Sequence, residues 1–259
     1  MNLLQQIEAA ALKAGEIMLA ADSIEKATDE KTGHANFVTK YDRKVQEFLF
    51  EELARVLPEA SFVGEEDGAE RFKDEHRKGY AFVIDPIDGT TNFIKAYRPS
   101  VTSIGLLKDG KPFIGVVYNP YEKVLYAAER GKGAFRNGTQ IHSSGEPLAR
   151  SLFSMGTSPY YEELTEGSFK LAEYYLRRAI DMRRSGSAAW DLCQLASGVT
   201  GLYFELRLGL WDFAAGAVIA EEAGCVITDI DGRPLTYDGP SSVLAVSEGV
   251  AREPYFPER

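Results

Sequence analysis

Residues 80–93 read YAFVIDPIDGTTNF, an apolar run that passes into two aspartates, a glycine and two threonines. The apolar and aromatic residues before Asp85 predict a buried strand with this aspartate at its carboxyl end. Pro86 has no N–H and a fixed φ, so we expect the chain to turn sharply there and to leave the central ladder. Gly89 permits a ligand to approach the backbone closely, and Gly89, Thr90 and Thr91 are expected to begin a helix whose free N–H groups form a phosphate cradle.

The two aspartates of this stretch, Asp85 and Asp88, can converge on one side of such a turn. Carboxylates beside an anion cradle would repel a phosphate unless cations lay between them. Ligands that are all oxygen atoms select a hard cation, so the motif predicts a Mg²⁺ site, with Mn²⁺ as the alternative ion. A single aspartate could act only as a turn or helix cap, but capping is the weaker explanation for two carboxylates together with the glycine and the threonines.

A third acidic candidate is Glu65, in the sequence Gly64-Glu65-Glu66 that ends a short β-type run. If that run neighbours the strand at 80–84, Glu65 reaches the same crevice as Asp85. Acidic residues of this kind usually face water, so the assignment of Glu65 depends on the first motif.

The two Trp-Asp pairs of the chain differ in context. Trp211-Asp212 follows a strand-like run and a glycine turn and begins a helix, so Asp212 can either reach a metal or only cap that helix. Trp190-Asp191 lies inside a stretch with helical apolar spacing, so Asp191 is expected to be solvated or paired locally.

The rest of the chain predicts a layered architecture. Apolar positions recur at helical spacing in residues 2–21, and Asp42 is placed to cap a second amphipathic helix that ends before Pro58. Short β-type runs are predicted at 61–64 and 80–85. Three more, at 101–107, 112–118 and 124–129, have hairpin-like connections that predict an antiparallel meander. Predicted helices at 162–179, 188–197 and 213–223 then alternate with strands at 202–206, 226–228 and 243–246. This order predicts a sandwich of helices and sheets, with an N-terminal lobe at 1–145 and a C-terminal lobe at 146–259.

Composition excludes several classes of partner. The 259 residues carry a formal net charge of −10 and no basic stripe, which argues against nucleic acid. The longest apolar runs are only a few residues, so no membrane-spanning segment is expected. The N-terminus lacks the basic residues of a secretory signal, and Cys193 and Cys225 lie in apolar surroundings. We therefore expect a cytoplasmic protein with two reduced core thiols.

The acidic motifs and the residues around them resemble the inositol monophosphatase family. The resemblance is carried, in the order and at the intervals of that family, by residues 64–66, 85–93, 131–135, 186–189 and 211–216. It spans nearly the whole chain and implies a five-layer αβαβα sandwich. It also implies a Mg²⁺-dependent, lithium-sensitive phosphatase that acts on a small phosphate monoester and forms a homodimer.

The same resemblance implies two to three metal ions per chain. One ion is expected to bind Glu65, Asp85 and the backbone carbonyl of Ile87. A second is expected to bind Asp85, Asp88 and Asp212, and a third, weaker ion would involve Glu65. Two metals roughly 3.5–4 Å apart can activate a water and stabilise the leaving oxygen, so no phosphoenzyme is required.

Catalytic roles also follow from the resemblance. Thr90, bonded to a carboxylate such as Glu65, is expected to orient the attacking water. Asp88 and Asp212 would serve the departing alkoxide, and Lys31 matches a catalytic position of the family's mobile loop. The implied phosphate- and substrate-binding residues are Gly89, Thr90, Gly186, Ala188, Glu205 and Asp212.

Substrate identity is less constrained. Glu205 matches the carboxylate that accepts hydrogen bonds from inositol hydroxyls, and it favours inositol monophosphate because it would repel a second phosphate. Lys95 and Arg98 could instead serve a second anionic group, and Arg183 and Arg184 could contact the substrate or a dimer partner. The alternative substrates are fructose 1,6-bisphosphate, NADP, histidinol phosphate and adenosine 3′,5′-bisphosphate.

Two other functions compete with this one. Residues 228–232 contain Asp-x-Asp-Gly after an apolar run, as in aspartyl-phosphate hydrolases of the haloacid dehalogenase type, although a hairpin turn at Asp231-Gly232 is the simpler explanation. A metal- or sugar-phosphate-binding protein without catalysis is the non-enzymatic alternative. The complete set of acidic positions argues against it.

Overall fold

The computed structural model of the chain describes residues 1–22, 24, 28–30, 37–67, 74–252 and 254–256. Its helices are α1 (Leu3–Leu19), α2 (Lys40–Val56), α3 (Thr90–Ile94), α4 (Thr165–Leu176), α5 (Ala188–Ala196), α6 (Leu210–Glu222) and α7 (Glu248–Ala251). Its strands are β1 (Thr28–Glu30), β2 (Phe37–Thr39), β3 (Ser61–Gly64), β4 (Tyr80–Asp88), β5 (Val101–Lys108), β6 (Lys111–Asn119), β7 (Val124–Glu129), β8 (Ala134–Arg136), β9 (Thr139–Ile141), β10 (Leu152–Met155), β11 (Asp181–Arg183), β12 (Leu202–Leu208), β13 (Val226–Thr228) and β14 (Ser241–Val246).

Apolar side chains alternate between the two faces of the larger sheet, as the period of a strand requires. On β4, Phe82 and Ile84 pack with α1 and α2, whereas Ala81 and Val83 pack with α5 and α6. Within the described ranges this sheet has seven strands in the order β3-β4-β5-β6-β7-β8-β9. β3 is parallel to β4 and each later pair is antiparallel, so the meander predicted over β5, β6 and β7 is confirmed. The condition set for Glu65, that β3 neighbours β4, is also met.

The smaller sheet has the order β11-β10-β12-β14-β13 among the described residues and mixes parallel with antiparallel pairs. Tyr203 and Ala245 pack with the α5/α6 layer, while Phe204 and Leu244 pack with Tyr175 of α4. The successive layers are α1/α2, the larger sheet, α5/α6, the smaller sheet and α4. This is the five-layer αβαβα sandwich that the resemblance implied.

Helices α5 and α6 form a central layer that both sheets share. Gly115 on β6 lets α6 lie directly on the larger sheet, because a Cβ there would collide with the backbone of Ala215. Residues from both halves of the chain pack into one apolar cluster around this layer. The strands of the larger sheet end at Ile141 and those of the smaller sheet begin at Leu152. The division into lobes at residue 145 remains a prediction.

The start of α2 differs from the prediction. Thr39 is the N-cap, and its Oγ1 accepts a hydrogen bond from the Tyr41 N–H at 3.1 Å. Asp42 is the third helical residue, and its Oδ2 accepts from the Thr39 N–H at 2.8 Å. Asp42 is therefore the reciprocal half of a capping box, and its prediction as the N-cap was wrong because the hydroxyl of Thr39 fills that position.

Three further predictions can be compared with the structure. The helix expected at 162–179 is shorter, because residues 162–164 form a separate 3₁₀ turn before α4. Cys193 and Cys225 are buried and free, which confirms two core thiols. In the described part of the chain, no helix combines the length and the apolar character that crossing a membrane requires.

Candidate active site

A β-bulge in β4 brings Asp85 and Asp88 to the same side of the larger sheet. In a regular strand, residues three apart face opposite sides. Asp85 pairs with Ser103 and Asp88 with Val101, so three steps along β4 match two steps along β5. Because the bulge adds one residue to β4, the side chains of Asp85 and Asp88 point to the same side of the sheet.

The sharp turn predicted at Pro86 was therefore wrong, since β4 continues to Asp88. Pro86 has no N–H to donate, and its carbonyl accepts a hydrogen bond from Thr102 Oγ1 at 3.0 Å. The Ile87 N–H donates to Asp85 Oδ1, also at 3.0 Å. Side chains thus satisfy backbone groups that the bulge removes from the ladder.

Asp88 is held by the first turn of α5, about a hundred residues further along the chain. Its Oδ2 accepts hydrogen bonds from Ser187 Oγ and from the Ala189 N–H, both at 2.7 Å. Its Oδ1 accepts from the Ala188 N–H at 3.3 Å. The free N–H groups at this helix start therefore orient a candidate metal ligand.

Asp212 joins these two aspartates from the first turn of α6. The Gly209 N–H donates to its Oδ2 at 2.6 Å, so Asp212 satisfies the helix start and is also a candidate ligand. One carboxylate oxygen from each of Asp85, Asp88 and Asp212 lies within 4.8 Å of the other two. Glu65 follows β3 at the neighbouring strand end, and its charge contributes to the raised pKa of Asp85.

The acidic cluster has an unfavourable charge arrangement. Burial, followed by the charges of Glu65 and Asp88, raises the pKa of Asp85 well above its usual range. Burial and then the charges of Asp88 and Glu65 do the same to the pKa of Asp212. Burial also raises the pKa of Asp88 to about 7, against the hydrogen bonds that its anion accepts. Positive charge between these groups would relieve the repulsion, so the all-oxygen donor set fits a hard divalent cation such as Mg²⁺.

Thr90, the first residue of α3, has a different carboxylate partner from the one named in the prediction. Its Oγ1 lies 3.2 Å from Asp42 Oδ1 and 3.2 Å from the Ile87 carbonyl oxygen. The predicted hydrogen bond of Thr90 to a carboxylate is confirmed, but that carboxylate is the fully buried Asp42 at the start of α2 rather than Glu65, the example given. The Ile87 carbonyl oxygen contacts Thr90, and its contribution to metal binding remains a prediction.

A cleft of about 520 Å³ contains this cluster. Its walls include the predicted metal ligands Glu65, Asp85, Ile87, Asp88 and Asp212 and the predicted substrate residues Gly89, Thr90, Gly186, Ala188 and Glu205. Gly186 has a φ of 82°, and a Cβ there would lie 3.2 Å from Asn92 Oδ1, so a glycine is needed where this turn meets α3. The predicted catalytic residue Lys31 lies outside the described residues.

Glu205 is already engaged within the protein. Its Oε1 accepts a hydrogen bond from the Ser158 N–H at 2.8 Å, and its Oε2 accepts one from the Tyr203 hydroxyl at 2.8 Å. Burial raises the pKa of Glu205, and these hydrogen bonds oppose that effect. Glu205 thus braces the loop at Ser158 against β12, and its contact with substrate hydroxyls remains a prediction.

The basic residues in the walls of the cleft are Arg184 and Arg207. Lys95 and Arg98 are exposed and are not part of these walls. The Arg98 guanidinium lies over the Tyr121 ring, 4.2 Å from its centroid.

The second Asp-x-Asp-Gly sequence forms a turn. Asp229 Oδ1 accepts hydrogen bonds from the Asp231 N–H at 2.9 Å and the Arg233 N–H at 2.8 Å. Gly232 supplies the positive φ, 82°, that this turn requires. The interpretation of this segment as a turn is therefore confirmed.

Comparison with known proteins decides the family. The sequence model of the inositol monophosphatase family matches residues 2–257. This chain belongs to the inositol monophosphatase family. Membership accounts for the layered sandwich and for the acidic cluster in its cleft, and it identifies the protein as a phosphatase of that family.

Relatives in the inositol monophosphatase family cover most of the chain. It is 36% identical to inositol monophosphatase 2 of Homo sapiens over 228 residues, which are 87% of this chain and 79% of the human protein. It is also 36% identical to Nus factor SuhB of Vibrio cholerae over 225 residues, 86% of this chain and 83% of that protein.

Solved structures agree with the sequence relatives. The inositol monophosphatase of Anabaena superposes with a TM-score of 0.81 at 32% identity, covering 95% of this chain and 90% of that one. The inositol monophosphate complex of SaIMPase-II superposes with a TM-score of 0.80 at 28% identity, covering 97% and 91%.

Several residues of the site were not identified from the sequence. Ser187 lies in the recognised run 186–189, but its bond to Asp88 depends on packing between two distant elements. Ser158 carries no motif, although its φ of 44° marks a constrained turn. The partnership of Asp42 with Thr90 joins residues 48 positions apart, and no local pattern predicts it.

Proposed function

We propose that this protein hydrolyses small phosphate monoesters with Mg²⁺, and that it converts an inositol monophosphate to inositol and phosphate. The observation that carries the proposal is the cluster of Asp85, Asp88 and Asp212, whose carboxylate oxygens lie within 4.8 Å in one cleft. The substrate is supported by family membership and by the inositol monophosphate bound to the related SaIMPase-II.

Cation binding would complete the charge balance of this site. When bound, Mg²⁺ would supply positive charge against the phosphate and Lewis acidity for the reaction. The residues that would hold two to three ions are Glu65, Asp85, Ile87, Asp88 and Asp212. The backbone at Gly89 and Thr90, which opens α3 in the wall of the same cleft, would contact the phosphate oxygens.

Thr90 and Asp42 are the residues that can orient and deprotonate the attacking water. Thr90 Oγ1 can donate its hydrogen to Asp42 Oδ1, 3.2 Å away, and accept a proton from water through a lone pair. The water then attacks phosphorus in line with the departing oxygen, and no phosphoenzyme forms. The departing alkoxide takes its proton from a second water, which Asp88 and Asp212 would orient.

The decisive test measures Mg²⁺-dependent phosphate release from myo-inositol 1-phosphate and from a generic aryl phosphate. We expect Asp85→Asn and Asp88→Asn each to abolish turnover while circular dichroism and thermal melting show a retained fold, because each loses an anionic ligand. Asp181→Asn is the matched control, since Asp181 is exposed on β11 and pairs with Arg183 at 2.5 Å. Activity of either cluster variant within about tenfold of the parent, a barrier change of only about 1.4 kcal/mol, would contradict the assignment.

Assembly, location and inhibition complete the proposal. A homodimer is supported by the exposed apolar side chains Phe169, Leu176 and Ile180 on and just after α4. Light scattering on the purified protein measures the oligomeric state directly.

A cytoplasmic location and inhibition by Li⁺ are supported by the family resemblance. Fractionation of cells and a Li⁺ titration of the Mg²⁺-activated enzyme test them.

A binding role without catalysis is the second candidate, because relatives of similar identity are named Nus factor SuhB. The acidic cluster favours the enzyme, since a scaffold has no need of carboxylates with raised pKa values in a cleft. Absence of phosphate release from a broad substrate panel, together with measurable Mg²⁺ binding, would favour the binding role.

A further inference from the structure

The side chain of Asn92, the third residue of α3, joins three segments of the chain. Its Nδ2 donates one hydrogen bond to the Pro99 carbonyl oxygen at 2.6 Å and another to the Ser185 carbonyl oxygen at 2.9 Å. Carbonyl oxygens only accept, so the amide nitrogen faces them and uses both of its hydrogens. Asn92 is buried, and the mechanism proposed for phosphate release does not use its amide.

These hydrogen bonds cross a contact between two glycine turns. A Cβ at Gly89 would lie 3.2 Å from the Gly186 carbonyl oxygen, and one at Gly186 would lie 3.2 Å from Asn92 Oδ1. Gly89 and Gly186 also have positive φ values, 91° and 82°. The start of α3 and the 185–187 turn therefore approach as closely as glycine permits, and Asn92 holds the two together.

The turn that Asn92 holds leads directly into the donors of Asp88. Ser187 follows Ser185 by two residues, and its Oγ donates to Asp88 Oδ2 at 2.7 Å. The Ala189 N–H, in the first turn of α5, donates to the same oxygen at 2.7 Å. The position of the Ser185 carbonyl therefore influences where these donors lie, and hence where the Asp88 carboxylate points.

Helix α3 depends on contacts of this kind because it is short. It has five residues, and an isolated helix of that length is not stable in water. Ser100 Oγ donates to the Gly89 carbonyl oxygen at 3.2 Å, which anchors the start of α3. Asn92 anchors its middle, so the backbone at Gly89 and Thr90 keeps a fixed position relative to the 185–187 turn.

We propose that Asn92 is a positioning residue for the candidate metal site, because its amide fixes the 185–187 turn against α3 and so orients Asp88 toward the other carboxylates. This inference rests on the proposed phosphatase function and adds a residue to it. Hydrogen-bond partners outside the ligand shell change metal affinity or activity by about 10–100-fold. A displacement of about 1 Å in a catalytic group can cost about a hundredfold in rate. Removal of the amide is therefore expected to weaken Mg²⁺ binding and turnover as well as stability.

The test compares Asn92→Ala with Asn137→Ala. Asn137 is the matched control, because its amide also joins two segments, donating to the Lys123 carbonyl oxygen and accepting from the Leu125 N–H, but it lies outside the cleft. For Asn92→Ala we expect kcat to fall about tenfold or more, by a larger factor than KM rises. Calorimetric titration should show an affinity for Mg²⁺ that is about fivefold or more weaker.

The control variant should behave differently. Asn137 has a φ of 47°, which alanine adopts poorly, so Asn137→Ala should lower the melting temperature. Its kcat and its Mg²⁺ affinity should stay within about twofold of the parent, because the substitution is remote from the acidic cluster. Equal changes in kcat and Mg²⁺ affinity in the two variants would overturn the proposal.

A double-mutant cycle separates positioning from general destabilisation. Ser187→Ala removes one hydrogen bond to Asp88, so Asn92→Ala and Ser187→Ala act on the same carboxylate. Their effects on Mg²⁺ affinity should therefore be non-additive, and the double variant should differ from the product of the single effects by about threefold or more. The effects of Asn137→Ala and Ser187→Ala should multiply. Multiplicative effects of Asn92→Ala and Ser187→Ala would overturn the proposal.

Failure of the positioning role can be told apart from failure of the proposed function. If the protein is not a phosphatase, the parent releases no phosphate, and the Mg²⁺ titrations still compare Asn92→Ala with Asn137→Ala. If only the positioning role is wrong, the parent and Asn92→Ala both turn over and bind Mg²⁺ alike. Should Asn92→Ala fail to fold by thermal melting, Asn92→Ser decides, because its single hydroxyl hydrogen can serve only one of the two carbonyls. An unchanged Mg²⁺ affinity in folded Asn92→Ser would overturn the proposal.

Discussion

Asp191 and Asp212 each follow a tryptophan in the first turn of a helix, and the two helices pack against each other in the central layer. Asp212 lies in the acidic cluster with Asp85 and Asp88. Asp191 is buried beside Ser185, whose Oγ lies 2.8 Å from its Oδ2. A Trp-Asp pair in the first turn of a helix therefore supplies a candidate metal ligand in one case and a local hydrogen bond in the other. The elements that face each aspartate decide between these roles.

The surroundings of Asp191 favour its neutral form. Burial raises its pKa to about 8, with the Ser185 hydrogen bond opposing and the charges of Glu205 and Asp88 adding to the effect. Ser185 Oγ also lies 3.0 Å from the Ser187 carbonyl oxygen, but a hydroxyl has only one hydrogen to donate. Ser185 Oγ donates to Asp191 Oδ2, so this hydrogen bond favours the anion, whereas burial and the neighbouring charges favour the neutral form. The expectation of local pairing is thus confirmed, whereas solvation of Asp191 was wrong because α5 is buried between the two sheets.

The largest expected difference between the two aspartates is in catalysis. Asp212→Asn should lower kcat/KM by about a thousandfold, about 4 kcal/mol, because it removes an anionic ligand from the cluster. Asp191→Asn should stay within about tenfold, because the amide oxygen can still accept the hydrogen bond from Ser185. Phosphate-release kinetics at saturating Mg²⁺, with calorimetric titration of Mg²⁺, measure both effects. Comparable losses in the two variants would remove the distinction between them.

A smaller difference is expected in the pH dependence of stability. The folded pKa of Asp191, about 8, exceeds its unfolded value, so the folded state holds an extra proton between these values. The free energy of unfolding of the metal-free protein should therefore fall as pH rises through this interval. Asp85, Asp88 and Asp212 act in the same direction. Urea titrations from about pH 6 to 8 should show that Asp191→Asn removes about 1–3 kcal/mol of this fall.

Two controls sharpen this stability experiment. Asp181→Asn should leave the slope unchanged in this range, because the hydrogen bond from Arg183 lowers the pKa of Asp181. Added Mg²⁺ should stabilise the parent more at the higher pH, because protons compete with the cation for the same carboxylates. An unchanged slope in Asp191→Asn would show that Asp191 is ionised in the folded protein.

The smallest expected effect concerns the hydroxyls around the α5 turn. Ser187→Ala removes the 2.7 Å bond to Asp88 Oδ2, while the N–H donors of Ala188 and Ala189 remain. We expect kcat/KM to fall by about tenfold, or about 1.4 kcal/mol, with weaker Mg²⁺ binding. Ser185→Ala, which faces Asp191 rather than Asp88, should change the melting temperature more than the Mg²⁺ affinity. If Ser185→Ala lowered the Mg²⁺ affinity more than Ser187→Ala does, Asp191 rather than Asp88 would be the aspartate that contributes to metal binding.

Local sequence patterns predicted strands β3–β7 and β12–β14 and helices α1–α6, but not β1, β2, β8–β11 or α7. They also predicted that Asp85 and Asp88 converge, whereas the other site residues depended on the family resemblance. Alternating apolar residues on β4 and helical spacing before Pro58 reflect the faces that each element must bury, so these elements could be located without a structure. The motif at 85–93 was recognised for a partly wrong reason. Pro86 was expected to end the ladder, but the chain bulges there and continues, and the bulge is what aligns Asp85 with Asp88.

Pairings between distant residues could not be predicted in the same way. The partner of Thr90 is Asp42, 48 residues away, and the donors to Asp88 come from residues 99 to 101 positions further on. Glu205 was predicted to face substrate hydroxyls, yet it also holds Ser158, 47 residues before it. Each of these contacts depends on how the helices and sheets pack against one another. The spacing of apolar residues within one helix or strand does not predict that packing.

By itself, the sequence determined the chemistry available to this protein: oxygen ligands for a hard cation, a glycine-led helix start and the apolar periodicities of a layered sandwich. Only the tertiary structure decided which carboxylates share a site. Asp212 and Asp191 both follow a tryptophan in the first turn of a helix, and α6 places one beside β4 while α5 places the other beside the Ser185 turn. Burial and charge repulsion act through space, so the identity of each neighbour, rather than the residue before it in the chain, sets the role of each aspartate.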